Sequence, residues 1–228
     1  MVERVPLIGV LMLDTAFRRW PRDIGQCAGL PFAVRHRRIP NATVARVVRR
    51  RPLERRTRDA FIAAGRALVD EGATLVTTSC GFLYREQSAL ARALSVPVVS
   101  SALVALPSLQ AVHGGRGAPG ILTFDAQALG PITVNDAAGG EVACPVEGLA
   151  VGSHFRAVVE GRCRRPDPVR LRADTFEAAR RLAAHAPSVV VLECTNLAPW
   201  RDTVQAVFEV PVIDLVDVIG RALPGVTR

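Results

Sequence analysis

Glu71–Val99 reads EGATLVTTSCGFLYREQSALARALSVPVV, and 114 residues further on His185–Ile213 reads HAPSVVVLECTNLAPWRDTVQAVFEVPVI. Cys80 falls on Cys194, Leu83 on Leu197, Val96 on Val210 and Pro97 on Pro211, all at that one offset. Each copy has an apolar run of strand length, a polar end carrying cysteine, a helical stretch, and a second apolar run. Strands alternating with helices of this length imply β-α-β units and a parallel sheet. A unit written twice predicts an α/β protein of two similar, open parallel-sheet lobes related by a pseudo-twofold axis. The expected boundaries are residues 1–101 and 102–213, with the C-terminal helix 214–228 joining the first lobe and the active site lying between the two.

Working outward, Pro6–Leu13 (PLIGVLML) is a continuous apolar run that suits a strand buried on both faces. It too has an echo: GVLMLD at Gly9–Asp14 returns as GILTFD at Gly120–Asp125, 111 residues on. The polar segment Thr15–Asn41 reads as one long loop, and loops of that length are usually functional. Pro52 opens a helix with Phe61, Ala64, Leu68 and Val69 at helical spacing, stopped at Gly72. Strands are expected at Thr74–Ser79, Val96–Val99, Ser188–Glu193 and Val210–Ile213, and helices at Leu83–Leu94, at Ala102–His113 and from near Pro199. Asp174 reads as the cap of a helix running to His185. Ala126–Arg172 shows no clear pattern.

Composition excludes several chemistries. The 29 basic residues are all arginine, giving a net charge of +8 without a single lysine. That rules out a pyridoxal phosphate Schiff base and a Walker-type phosphate lysine. The arginine-rich run Arg46–Arg58 holds no aromatic residue to stack a base, so it reads as a solvated helix face and no nucleic-acid partner is expected. Five cysteines without a C-x-x-C pair argue against a zinc site or a disulfide framework. The four histidines lack i, i+4 pairing, so no metal and no cofactor is expected. No apolar run of eighteen residues is present. The reading is a soluble, cytoplasmic protein with a small-molecule carboxylate substrate and no membrane partner, compatible with a homo-oligomer.

In parallel sheets ligands gather beyond the carboxyl ends of strands, where Asp14, Cys80, Asp125 and Cys194 all fall. Each of the two cysteines precedes a helix, whose N-terminal amides lower a thiol pKa and also hold carboxylates. A thiolate on one side of a carbon and a thiol on the other can remove a proton from one face and deliver one to the opposite face. That geometry sets the sulfurs about 7 Å apart. Arg18, Arg19 and Arg22 in the long loop are candidates to clamp a carboxylate, although arginines this abundant are mostly solvated. Cys27, Cys144 and Cys163 have no repeat partner and read as packing residues.

The motifs GVLMLD, TTSCGFL and ECTNLAPW resemble the aspartate/glutamate/hydantoin racemase superfamily over essentially the whole chain. The resemblance implies that Cys80 and Cys194 are an acid/base pair, that Asp14 assists the first cysteine, and that Thr15 and Thr195 supply substrate-contacting hydroxyls. It also turns Ser79, Gly81, Phe82 and Asn196 toward the substrate. Gly81 and Phe82 replace the Asn-Thr that follows the first cysteine in glutamate racemases, and Asn196 replaces the histidine that follows the second as Thr-His, with Glu193 an alternative helper. The implied activity is a cofactor-independent racemase or epimerase of an amino acid or related α-substituted carboxylate. A decarboxylase, a maleate-type isomerase and a non-catalytic two-lobed binder stay open beside it.

Overall fold

A computed structural model describes residues 5–223. It holds two four-stranded sheets, parallel throughout, each with helices against it. The first contains β1 (Leu7–Met12), β2 (Ala33–Arg38), β3 (Leu75–Thr78) and β4 (Val98–Val99) in the order β2-β1-β3-β4. The second contains β5 (Gly120–Thr123), β6 (Val146–Gly148), β7 (Val190–Leu192) and β8 (Val212–Ile213) in the order β6-β5-β7-β8.

The repeat extends to register. Gly9 pairs with Val76 across β1 and β3, as Gly120 pairs with Val190 across β5 and β7. Val76 pairs with Val98, as Val190 pairs with Val212. Even single bonds recur: Ser79 N–H donates to the Leu11 carbonyl and Glu193 N–H to that of Leu122. Helices cover both faces of the central strands, and β3, β5 and β7 are buried along their whole length, the threonines at the ends of β3 and β5 included. Gly9 and Gly120 let the covering helices approach closely. A Cβ on Gly9 would stand 3.0 Å from the Leu68 side chain, and one on Gly120 would stand 3.2 Å from that of Leu182.

Several elements depart from the sequence reading. The Thr15–Asn41 segment is not one loop, because it contains β2, whose sequence AVRHRR has no apolar run. β2 is a charged edge strand, and Arg35 and Arg37 bind Glu71 in solvent. The patternless stretch 126–172 holds a helix over Ala126–Ala138 kinked at Gly130, then β6, then a helix over His154–Val159. Gly130 sits at φ +68° ahead of Pro131, and this break in the helix erases the periodicity. The next helix is Pro168–Ala183, capped by Asp167, so Asp174 lies inside it and accepts the Phe155 N–H instead. The first lobe's main helix is Arg55–Asp70, three residues later than Pro52 suggests. The last described helix is Leu215–Ala222, and the remainder of the expected 214–228 helix lies outside the described residues. Among the described residues no helix is long and apolar enough to cross a membrane.

Candidate active site

Both cysteines stand where a buried strand ends and a 3₁₀ turn begins: Cys80 between β3 and the turn Gly81–Glu86, Cys194 beyond β7 and before the turn Thr195–Trp200. The turns are built alike, with Leu83 N–H closing on the Cys80 carbonyl and Leu197 N–H on that of Cys194. The two strand ends meet. Thr195 Oγ1 donates to the Ser79 carbonyl at 2.7 Å, and the pseudo-equivalent contact brings the Glu193 carbonyl against Gly81. As a result both thiols line one small chamber of about 30 Å3, together with Thr15, Arg19, Ser79, Gly81, Phe82, Glu193, Thr195 and Asn196.

Thr15, Phe17, Val44, Val48, Phe124 and Val159 line both this chamber and a wide adjoining outer cleft of about 710 Å3. The cleft is charged where the chamber is mostly apolar, and Asp14, Arg18, Asp125 and Arg156 face it. Asp125 caps the helix at Ala126 and pairs with Arg156 at 2.7 Å. Asp14, expected beside the first cysteine, is in this outer cleft. Its carboxylate accepts the Asn41 N–H at 2.9 Å, faces Arg38 at 3.8 Å, and does not line the thiol chamber.

The long loop reaches the chamber through a chain of polar contacts. Arg19 donates to Thr15 Oγ1 at 3.1 Å and to both oxygens of Asp23 at 2.8 and 3.1 Å. Asp23 is buried and also accepts from Asn196 Nδ2 at 2.8 Å, and Asn196 Oδ1 faces the Cys194 thiol at 3.9 Å. Asn196, standing in place of the family histidine, therefore connects the second cysteine to the loop. Of the three loop arginines only Arg19 lines the chamber; Arg18 stacks over Trp20 and Arg22 binds Asp214. The sequence reading missed Asp23, which lies in a non-helical segment where a spacing of four residues from Arg19 carries no signal.

The thiols are not the activated groups that a helix N-terminus alone predicts. Burial, then the nearby Glu193 carboxyl, pushes Cys80 up to about 12, while the N–H groups of Phe82 and Leu83 and the Arg19 charge oppose this only in part. Cys194 is likewise pushed well up by the same two causes, with Cys80 and Asp23 adding to them and the Asn196 N–H opposing. Enclosure therefore outweighs the amides. Burial raises Glu193 itself to about 7, against the Thr123 hydrogen bond and the Arg85 charge.

A duplicated α/β frame with two buried cysteines at equivalent strand ends is that of an enzyme family of the isomerase or lyase kind. The Asp/Glu/Hydantoin racemase family model matches residues 87–223, more than half of the chain, and the chain belongs to that family. Among curated proteins it is 29% identical to a dimethylsulfoniopropionate lyase of Durusdinium sp. clade D, over 92% of this chain and 71% of that protein. It is 26% identical to dimethylsulfoniopropionate lyase 5 of Emiliania huxleyi over 94% of this chain, and it spans only 44% of that relative's length. Among solved structures, unliganded arylmalonate decarboxylase shares the fold with a TM-score of 0.58 at 16% identity, covering 93% of this chain and 88% of its own. Allantoin racemase from Pseudomonas fluorescens does so with a TM-score of 0.57 at 18% identity, covering 93% and 87%.

Proposed function

We propose that the protein is a cofactor-independent racemase or epimerase of a small α-substituted carboxylate, with Cys80 and Cys194 as its two bases. The observation that carries this reading is the placement of both thiols, from pseudo-equivalent strand ends, on one chamber. Inversion needs a proton acceptor on one face of the carbon and a donor on the other. In this reading the two cysteines enter the reaction in different states. Cys80 has the Phe82 and Leu83 N–H groups and the Arg19 charge in favour of a thiolate. Cys194 has an acceptor in Asn196 Oδ1 and the Asp23 charge behind it, both of which favour a thiol. Both thiols rest protonated, and the reacting form is the one in which Cys80 has released its proton to solvent: its thiolate takes the α-proton, the electron pair moves onto the carboxylate as an enediolate, and the Cys194 thiol returns a proton to the opposite face. The product leaves Cys80 as thiol and Cys194 as thiolate, the pair that serves the other enantiomer. Thr15 and Arg19 stand at the chamber wall to receive the substrate carboxylate.

A second reading is favoured by the curated relatives, which are lyases over almost the whole chain. The same α-proton removal, followed by departure of a β-substituent such as a sulfonium, gives an unsaturated carboxylate and needs only one thiol. One experiment separates the two. Enantiopure amino acids, 2-substituted carboxylates and dimethylsulfoniopropionate are incubated in heavy water and followed by proton NMR and polarimetry. The expected result is α-deuterium incorporation with inversion, abolished by Cys80→Ser and by Cys194→Ser. Vinyl protons appearing without inversion establish elimination, and a single serine variant that still inverts at the parental rate ends the two-base mechanism.

A further inference from the structure

Glu193 holds the position that Ser79 holds in the first lobe, and the two are used differently. The Ser79 hydroxyl is satisfied by the Leu13 N–H at 3.0 Å. Glu193 lines the chamber, is fully buried, accepts from Thr123 Oγ1 at 2.6 Å through Oε2, and leaves Oε1 without a protein partner. Its carboxyl occupies the space a side chain at residue 81 would take, since a Cβ on Gly81 would stand 2.5 Å from Oε1. The departure Gly81 and the residue Glu193 are thus one feature, a carboxyl delivered from the second lobe into the place of a first-lobe side chain. The titratable or charged groups facing it are Cys80, Cys194 and Arg85. Arg85 gives its own N–H groups to Thr133 Oγ1 and to the carbonyls of Arg49, Ala128 and Leu129, so no hydrogen bond from it reaches the carboxyl.

We propose that Glu193 acts as a neutral carboxylic acid whose Oε1–H hydrogen-bonds the carboxylate of the bound substrate and the enediolate formed when the α-proton leaves. The inference deepens the proton-transfer reading and rests on it. With Thr123 Oγ1–H given to Oε2, the acid proton falls on Oε1, the oxygen left without a protein partner. An apolar enclosure that keeps a carboxyl neutral makes it a donor to developing negative charge. Ionised, the same group would set a carboxylate against both a thiolate and the substrate carboxylate in one desolvated space. Because burial raises Glu193 to about 7, the acid form prevails below that pH and the carboxylate above it. Substrate carboxylate binding therefore weakens as pH rises through neutrality.

The test needs no turnover. Iodoacetamide alkylation of Cys80 and Cys194 is followed by peptide mass spectrometry, with sodium propionate, ionised throughout the range, as the protecting ligand. In the parent protein the propionate concentration needed for half protection should rise at least about tenfold between roughly pH 6.5 and pH 8.5, the behaviour of a single titrating donor. In Glu193→Gln, which keeps a donor but no charge, half protection should not depend on pH. Unprotected alkylation at about pH 8 should be about tenfold faster than in the parent, the effect of lowering a thiol pKa by one. Protection that holds or strengthens above neutrality in the parent, or alkylation of Glu193→Gln no faster than the parent's, overturns the proposal. The parental pH profile decides it even if the variant folds poorly. Absence of protection at every pH removes the carboxylate role of Glu193, whereas protection without α-hydrogen exchange removes the reaction and leaves the donor.

Discussion

Replacing Gly81 by alanine should separate the two thiols by wedging the lobes apart at the active site. The added methyl would meet the Glu193 backbone carbonyl, and it would stand 2.5 Å from Oε1 and 2.6 Å from Cδ of the same residue. Side-chain carbons do not approach heavy atoms within 3.0 Å, and with the carbonyl as the nearest atom about an ångström of movement is needed. The side chain cannot swing away freely because Thr123 holds Oε2, and the carbonyl belongs to the segment leaving β7, anchored by the Glu193 N–H to the Leu122 carbonyl. The movement therefore falls on the two strand ends. Overpacking of this kind costs about 1–3 kcal/mol, which for a chain of this size lowers the melting temperature by about 2–12 °C. Reacting groups displaced by about an ångström should slow proton transfer by the order of a hundredfold. Thermal unfolding by circular dichroism and the heavy-water exchange assay read the two effects. A Gly81→Ala protein that melts with the parent and exchanges at the parental rate would refute the argument that these backbones are in contact.

Three other outcomes follow from the geometry. At about pH 8 iodoacetamide should label the exposed Cys27 well before Cys80 and Cys194, because burial holds both chamber thiols in the protonated form; equal labelling in a peptide map would contradict the enclosure. Arg58 donates to both oxygens of Glu86, whose side chain is only 2% exposed. Arg58→Ala should therefore cost about 1–3 kcal/mol in urea unfolding, with much of the loss recovered on adding Glu86→Gln. Asp125 is held below its ordinary range: burial opposes its charge, but the Ala128 N–H and Arg156 outweigh that. A depressed carboxylate stabilises the fold above its ordinary pKa and loses that contribution as pH falls through the depressed value. Asp125→Asn should then cost about 1 kcal/mol at neutral pH, and the gap should close below about pH 3.8, as read by melting temperature against pH.

Much of the frame was legible because it is written twice. The offsets of 114 and 111 residues reappear as identical register in the two sheets, since a duplicated apolar strand pattern can be buried in only one way. β2 was not legible, because an edge strand has one solvated side and its AVRHRR sequence carries charge where a buried strand carries methyl groups. The helix at Ala126–Ala138 was masked by its own Gly-Pro break. At the site, Thr15, Ser79, Gly81, Phe82, Thr195 and Asn196 come together on one wall with the two cysteines, while Asp14 stands outside it. Strand-end position alone does not separate those cases. Asp14 and Cys80 both follow central strands, and only the path of the chain beyond each decides which one faces inward.

By itself the sequence determined the duplicated α/β frame, the absence of lysine chemistry and the pairing of Cys80 with Cys194, because periodicity, composition and spacing are local properties of a chain. The closure of the chamber was decided by tertiary structure alone. Desolvation depends on everything that surrounds a group, so the thiols expected to be acidic at a helix start are instead held protonated, and Glu193 becomes a half-satisfied buried acid beside them. The thread from Arg19 through Asp23 and Asn196 to Cys194 crosses 173 residues in its longest link, a juxtaposition no local pattern encodes.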